Sequence, residues 1–477
     1  MGQEIEKSEY TSADFEKFQH RLIHETALLH GLFDNSAFIS SHAVGGYELE
    51  AWLLDRTTQP APVNQVFINR LSNPLVVHEL SRFNVELNSE PHELRGKVLS
   101  LMQSDLSSLW QSCIETAATL DTRLAMMGTL PVLDDAHLTM ANMSEVERYR
   151  ALNEQILKLR RGLPIRLDIS GRDHLQSSHY DVMLEAAATS FQIHLQVKPE
   201  HAVRYYNASV LTSAPLLAAA ANSPFLFGRD LWSESRIPLF EQAVNTEKES
   251  VITGHTGHSR ATFGHDWCKE SVFELFEENI ALYPVLLPTL NDGDEKNLWH
   301  LRLHNGTIWR WNRPLIGVDD AGYHLRIEQR VVPAGPTIID MIANAALYYG
   351  LVVSLANEKD APESQLSFSQ VKGDFYTVAE RGLDADICWP GIGKLNVGEL
   401  LTNHLLPYAR SGLATLAIDD TDIENLLGVI KARVESGQNG ANWQRNYLYH
   451  HKCSMQEMTE AYIKNQQSFK PVHEWSI

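Results

Sequence analysis

Four cysteines in 477 residues, at positions 113, 268, 388 and 453, are too few and too scattered for a disulfide framework. No two of them form a CxxC pair, which excludes a thiolate zinc site of the usual kind. Basic charge is also short: 40 Lys and Arg stand against 60 Asp and Glu, a formal net charge of −20. That balance argues against a nucleic-acid binder, which needs a basic face for phosphate neutralisation, and leaves room only for a local basic pocket. No GxxxxGK[ST] phosphate loop, GxSxG elbow or dinucleotide fingerprint occurs; PGIGK (390–394) is a lone Gly-rich turn. The opening MGQEIEKSEYTSADFEKF has no apolar core for a secretory signal. Two apolar stretches, 208–228 and 336–356, are interrupted by Ser209, Thr212, Ser213, Pro215 and Asn222, and by Asp340 and Asn344. Both read as buried helices rather than membrane spans. The expectation is a reduced cytoplasmic protein with no membrane and no nucleic-acid partner.

What is present is ordinary globular composition, 44% hydrophobic and 21% charged. With no repeat and no low-complexity linker, residues 1–477 read as a single catalytic unit, with a sheet-bearing core over 45–335 and a mainly helical part over 337–470. Period-two alternation predicts strands at GGYELEAWLLD (45–55), RFNVELNSEP (82–91), SFQIHLQVKP (190–199) and GYHLRIEQRVVPAGPT (322–337). AMMGTLPVL (125–133) reads as a strand entering a loop, and 300–316 as a hairpin around Asn305-Gly306. Helices are expected at 12–31 (capped by Ser12 or Asp14), 93–125, 144–161, 181–190, 201–222 and through most of 337–468. The fold class is α+β.

Four strands place ionisable groups on the polar side of an otherwise apolar alternation: Glu48 and Glu50, Glu86, His194 with Gln196, and Glu328 with Arg326 and Arg330. The i, i+2 spacing puts Glu48 and Glu50 on one face of one strand. Like charges gathered on one sheet face repel unless a cation or an arginine lies among them. Several oxygen ligands, one imidazole and no thiolate select Mg²⁺ or Mn²⁺ over zinc. Arg229, Arg236 and Arg330, on or beside loops and strand ends, could clamp a polyanion with planar donors. Carboxylates for divalent metals opposite arginines are what phosphoryl transfer from a nucleotide requires.

GGYELEAWLLD, FNVELNSEP, GTLP (128–131), FQIHLQV, LLAAAANSPFLFGRDLWSESR (216–236) and LRIEQRVVP (325–333), in this order, resemble the glutamate–cysteine ligase family, in the carboxylate–amine ligase group called its second type. The resemblance implies a distorted, mainly antiparallel sheet forming a funnel-like active site, related in architecture to glutamine synthetase and the guanido kinases. It implies ATP and Mg²⁺ (or Mn²⁺), with an amino-acid carboxylate and an amine as small-molecule partners. The carboxylate would be phosphorylated and the amine would displace phosphate, making a γ-glutamyl or similar amide. Glutamate with cysteine is the first expectation, which would place the chain in glutathione biosynthesis.

Residue by residue, the resemblance implies that Glu48, Glu50, Glu86, His194 and Glu328 hold metal ions. Arg330 would face the transferring phosphoryl group with Glu328 beside it, and Arg229 and Arg236 would serve the nucleotide or the substrate carboxylate. GTLP stands where GTHP is common, and IHLQV where HVHVG is, so the amine side departs further from the family than the phosphate side. That departure motivates three alternatives: a ligase for a different amine, a catalytically idle nucleotide-binding relative, or a phosphotransferase that stops before the amide. The sequence leaves room for a homo-oligomer. HETALLH (24–30) lacks HExxH spacing, HHKC (450–453) has no second ligand pair, and GHTGHSRATFGHD (254–266), with His255, His258 and His265, reads as a polar surface loop.

Overall fold

Residues whose side chains alternate between oil-like and charged can only form a sheet with one face buried and the other facing a polar cavity. The computed structural model describes residues 5, 9–39, 42–246 and 259–477, and its central element is such a sheet. Its strands are β1 (Val44–Leu54), β2 (Val76–His78), β3 (Asn84–Asn88), β4 (His92–Glu93), β5 (Arg123–Ala125), β6 (Phe191–Val197), β7 (Asn312–Asp319) and β8 (Gly322–Gln329). The order is β7-β8-β6-β1-β3-β2, with β4 and β5 also paired to β1, and every pairing is antiparallel. β1 is the hub. Its residues pair with β3 from Glu48 to Trp52 and with β6 from Gly45 to Leu49, then with β5 from Trp52 to Leu54. A strand that changes partner along its length belongs to a coiled, splayed sheet, and here the polar face is the concave one.

The convex face is apolar. Tyr47, Leu49, Ala51, Val85, Leu87, Ile193, Leu195, Leu325 and Ile327 are all buried. The helices used below are α1 (Ser12–Asp34), α2 (Val98–Ala118), α3 (Glu147–Leu159), α4 (Ala202–Ala220), α5 (Arg236–Ala243), α6 (Trp299–Gly306), α7 (Ile338–Ala356) and α8 (Leu406–Thr415). α4 and α7 pack together, α4 against β7 and β8 and α7 against β6. Tyr349 of α7 donates from its hydroxyl toward the carbonyls of Gly46 (3.2 Å) and His194 (3.1 Å), tying helix to sheet behind the site. α7 is the one helix among the described residues long and apolar enough to cross a membrane, and 89% of its most apolar window is buried inside the protein. The polar residues that interrupt it are satisfied internally: Arg433 donates to Asp340 at 2.8 Å and to Asn344 at 2.6 Å.

Several sequence expectations need correction. No hairpin forms at Asn305-Gly306; that dipeptide closes α6, and the Asn305 amide donates to the Pro314 carbonyl at 2.9 Å. Asn-Gly suits a helix end as well as a tight turn, so the dipeptide alone could not decide. The real hairpin is β7–β8, turning at Asp319, whose side chain accepts from the Ala321 and Gly322 amides. The strand expected over 125–133 ends at Ala125. α1 is capped by Thr11 in a reciprocal box with Asp14, rather than by Ser12. Two hairpins were not anticipated, Ile165–Ser170 with His174–His179, and Asp386–Trp389 with Gly393–Asn396. His255 and His258 lie outside the described residues, whereas His265 pairs with Glu278 at 2.7 Å.

Helix α7 meets α8 through bare backbone. A side-chain carbon at Gly350 would strike the Ala409 carbonyl, and one at Gly412 would strike the Gly350 carbonyl. Backbone on both sides cannot step aside, so Gly350→Ala should destabilise by about 1–3 kcal/mol in denaturant melts. An unchanged midpoint would show that the two helices have room to separate.

Candidate active site

The concave face brings together the residues that alternation had singled out. Glu50 lies opposite Glu86, Glu48 opposite Gln192, and Glu328 opposite both His194 and Arg313. Glu48, Glu50, Glu86, Glu328 and Arg330 line one cavity. Its far wall is built by Arg148, Tyr149 and Leu152 of α3, by Arg302, Leu303 and Asn305 of α6, and by Phe276 and Trp309.

At its base, Glu48, His194 and Glu328 offer three ligand atoms within 4.8 Å of one another. His194 Nε2 stands 3.4 Å from Glu48 and 3.8 Å from Glu328, and it is buried with no hydrogen-bond partner among the described residues. A buried imidazole nitrogen aimed between two carboxylates is a donor set that fits a divalent cation, with oxygen ligands in the majority. These three residues would hold it.

Glu328 is also clamped from the other side. Arg313 donates to both of its oxygens, from Nε at 2.8 Å and Nη2 at 3.1 Å, and Arg330 adds a bond at 3.0 Å. Burial pushes the carboxyl pKa up, but Arg313 and Arg330 more than offset it and hold it at about 2. Arg330 in turn donates to Gln192. Burial favours its neutral form, yet Glu328 and Glu50 hold the guanidinium more firmly charged than usual.

The other end of the cavity is acidic. Glu50 is held by Ser190, through its amide at 2.7 Å and hydroxyl at 2.9 Å, and by Gln192 at 2.9 Å. Asn88 donates to Glu86 at 2.8 Å. Glu79 and Glu185 join them. Burial raises the Glu79 pKa well above the usual range, with Glu50, Glu86 and Glu185 adding to the effect. Burial and then Glu50 push Glu185 to about 8. Four carboxyl groups so placed cannot all ionise together, so Glu79 and Glu185 favour their protonated forms unless a cation joins them.

A cationic patch faces the metal-fitting triad. Arg302 and Arg326 both line the cavity. Burial lowers the pKa of each; Arg326 lowers that of Arg302 further, whereas Glu48 and Glu328 draw Arg326 back up. Arg326 Nε is buried without a hydrogen-bond partner among the described residues. Two guanidiniums opposing each other in a cavity make a place for an anion.

Two sequence-predicted arginines lie elsewhere. Arg229 is exposed on a two-stranded ribbon with Phe225–Leu226 and does not line the cavity. Arg236, the first residue of α5, is buried. It donates to the carbonyls of Arg330 (3.1 Å) and Val331, so it positions the chain that carries Arg330 instead of meeting a ligand. Sequence reasoning missed Glu79, Glu185, Gln192, Arg302 and Arg313. Gln192 was accessible, since it shares the alternation of His194. Arg313 was hidden by the misplaced hairpin, while Glu79 and Glu185 sit beside β2 and in a 3₁₀ turn where no periodicity marks a face.

With this geometry in hand, comparison with known proteins decides the family, because the model of glutamate–cysteine ligase family 2 matches residues 44–467. The chain belongs to that family. Two solved structures share its fold. A glutamate–cysteine ligase from Francisella tularensis in complex with AMP superposes with a TM-score of 0.56 at 12% identity, covering 91% of each chain. A bifunctional glutathione synthetase from Pasteurella multocida gives 0.54 at 12%, covering 94% of this chain and 54% of that one. No curated protein matches the chain in sequence. Family 2 membership supports a carboxylate–amine ligase, and the funnel-like antiparallel sheet expected from the sequence is the fold observed.

The Glu328 clamp has a pH signature. A carboxyl held below its ordinary value of 4.5 adds stability above that pH and loses it as pH falls toward about 2. Glu328→Gln leaves two buried guanidiniums without their carboxylate, which should cost on the order of 3 kcal/mol at neutral pH. The gap to wild type should close between pH 4.5 and 2 in denaturant melts. A gap of constant size across that window would show that the clamp does not hold Glu328 ionised.

Proposed function

We propose that the protein is an ATP-dependent carboxylate–amine ligase that joins an amino-acid carboxylate, glutamate first, to an amine, cysteine first, through an acyl phosphate. The observation that carries this reading is the meeting, in one cavity, of a donor set fitted to a divalent cation and a patch of guanidiniums fitted to phosphate. The relative solved with AMP supports a nucleotide as the source of that phosphate.

On this reading Arg302 and Arg326 hold phosphate oxygens, and Arg330, fixed by Glu328, Gln192 and the anchored chain at Arg236, faces the group in transfer. A substrate carboxylate oxygen attacks the γ-phosphorus, the bond to the ADP oxygen breaks, and an acyl phosphate forms. The amine then attacks the acyl carbon, the carbon–oxygen bond to phosphate breaks, and the amine gives up a proton as the amide forms. A divalent cation held by Glu48, His194 and Glu328 would neutralise phosphate charge. The apolar wall of Tyr149, Leu152, Phe276 and Leu303 keeps water from the acyl phosphate.

A second reading has one observation in its favour. Both oxygens of Glu328 are already engaged by arginines, which weakens it as a metal ligand and suits a nucleotide-binding relative without turnover. The two readings separate on ADP release with Mg-ATP and glutamate across a panel of amino acids and simple amines. Amine-dependent release with a matching amide by mass spectrometry is the expected result; nucleotide binding without release would favour the idle relative. Arg302→Gln should raise the KM for ATP by roughly tenfold or more, the loss of a charge-assisted phosphate contact, with the KM for the amine little changed. An unaltered KM for ATP would remove Arg302 from the nucleotide site.

A further inference from the structure

Arg330 is held from behind by both of its backbone polar groups. Its amide donates to the Trp311 carbonyl at 2.9 Å, and its carbonyl accepts from Arg236 at 3.1 Å. The two holders also meet each other, with the Arg236 guanidinium 5.3 Å from the centre of the Trp311 ring. Trp311 is buried, and its single polar side-chain atom, Nε1, donates to Glu241 of α5 at 2.8 Å. The same carboxylate oxygen accepts from the Tyr376 hydroxyl at 2.8 Å. Glu241 does not line the cavity, so its route to Arg330 runs through Trp311.

A buried indole N–H needs an acceptor, and a neutral amide oxygen would serve. An ionisable acceptor does more, because a bond to a carboxylate is about twice as strong as one to a neutral oxygen. We propose that Glu241 is a positioning residue for Arg330: its carboxylate fixes the Trp311 indole, and Trp311 with Arg236 fixes the backbone from which the Arg330 guanidinium projects. This rests on the ligase reading above and adds a control on that site from outside the cavity. Burial pushes the Glu241 carboxyl up to about 7, against the pull of the Trp311 and Tyr376 hydrogen bonds and of Lys372. The brace is therefore tight above that pH and loosens as pH falls through it. Lys372 and Tyr376 both belong to the helix Phe368–Arg381. Burial and Glu241 push the Tyr376 hydroxyl up, so it stays a donor throughout, and Lys372 also donates to the Gly264 carbonyl at 3.2 Å. The other elements packed against α5 carry Arg166 and Asp168, both exposed, and Glu185, which lines the cavity.

Glu241→Gln keeps the size of the side chain and an acceptor oxygen but cannot ionise. The ratio of wild-type to Glu241→Gln kcat, read as amine-dependent ADP release, should be about fivefold at about pH 8 and close to one at about pH 6, with the KM for Mg-ATP little changed. Taking the ratio cancels every other group that titrates in both proteins. Trp311→Phe removes the donor, so adding Glu241→Gln to it should cause no further loss. A ratio that is the same at both pH values, or losses that add in the double variant, overturns the proposal. A wild type that releases no ADP sinks the ligase reading and leaves the brace to be decided by nitrogen-15 NMR. There the Trp311 indole and Arg330 Nε–H resonances, assigned by Trp311→Phe and Arg330→Lys, should move together as pH rises through about 7, and Glu241→Gln should abolish that joint movement. An Arg330 resonance that titrates identically in wild type and Glu241→Gln overturns the proposal.

Discussion

The site depends on how one buried carboxylate, Glu328, is balanced. It lies on the concave face between His194 and Arg313, with Arg330 two residues along the chain. Removed from water without partners, it would be neutral. Two guanidiniums keep it ionised, and it in turn keeps Arg330 charged and pointed. An acidic sheet face can therefore exist in a protein whose net charge is already −20, because the arginines lie where the carboxylates are. Gln192 links this balance to the acidic end, accepting from Arg330 and donating to Glu50.

The rest of the fold holds that face still. The apolar faces of β1, β3, β6 and β8 lock against helices, so the register that aligns Glu48 with Gln192 and Glu328 with His194 cannot slip by one residue without turning every core side chain into the cavity. Tyr349 fastens α7 to the carbonyls of Gly46 and His194, and Arg433 satisfies the polar residues that let so apolar a helix pack inside the protein. Arg236 adds a brace behind Arg330. Precision at a catalytic centre comes from such supporting contacts more than from the ligands themselves.

Much of this was legible in the sequence, and the reason is periodicity. On four regular strands alternation revealed both the strand and the face: Glu48, Glu50, Glu86 and Glu328 line one cavity, His194 lies between Glu48 and Glu328, and the resemblance of the ordered strand motifs agrees with the family whose model matches residues 44–467. Where the chain is irregular, that signal vanished. Glu79 follows a three-residue strand and Glu185 sits in a 3₁₀ turn, so nothing local says which way either side chain points. Arg229 and Arg236 illustrate the converse. An arginine in a distinctive motif looks like a ligand contact, but only tertiary structure shows whether it meets a cavity, solvent or, as with Arg236, backbone carbonyls. Asn305-Gly306 misled because two different chain reversals favour the same pair.

The central claim is that this cavity activates a carboxylate by phosphorylation before an amine captures it. Glutamate labelled with oxygen-18 in its side-chain carboxylate tests that directly. If an acyl phosphate forms, one labelled oxygen stays with phosphorus when the amine attacks, and the phosphate released in each turnover carries the label. Unlabelled phosphate from a reaction that still yields the amide would contradict the account.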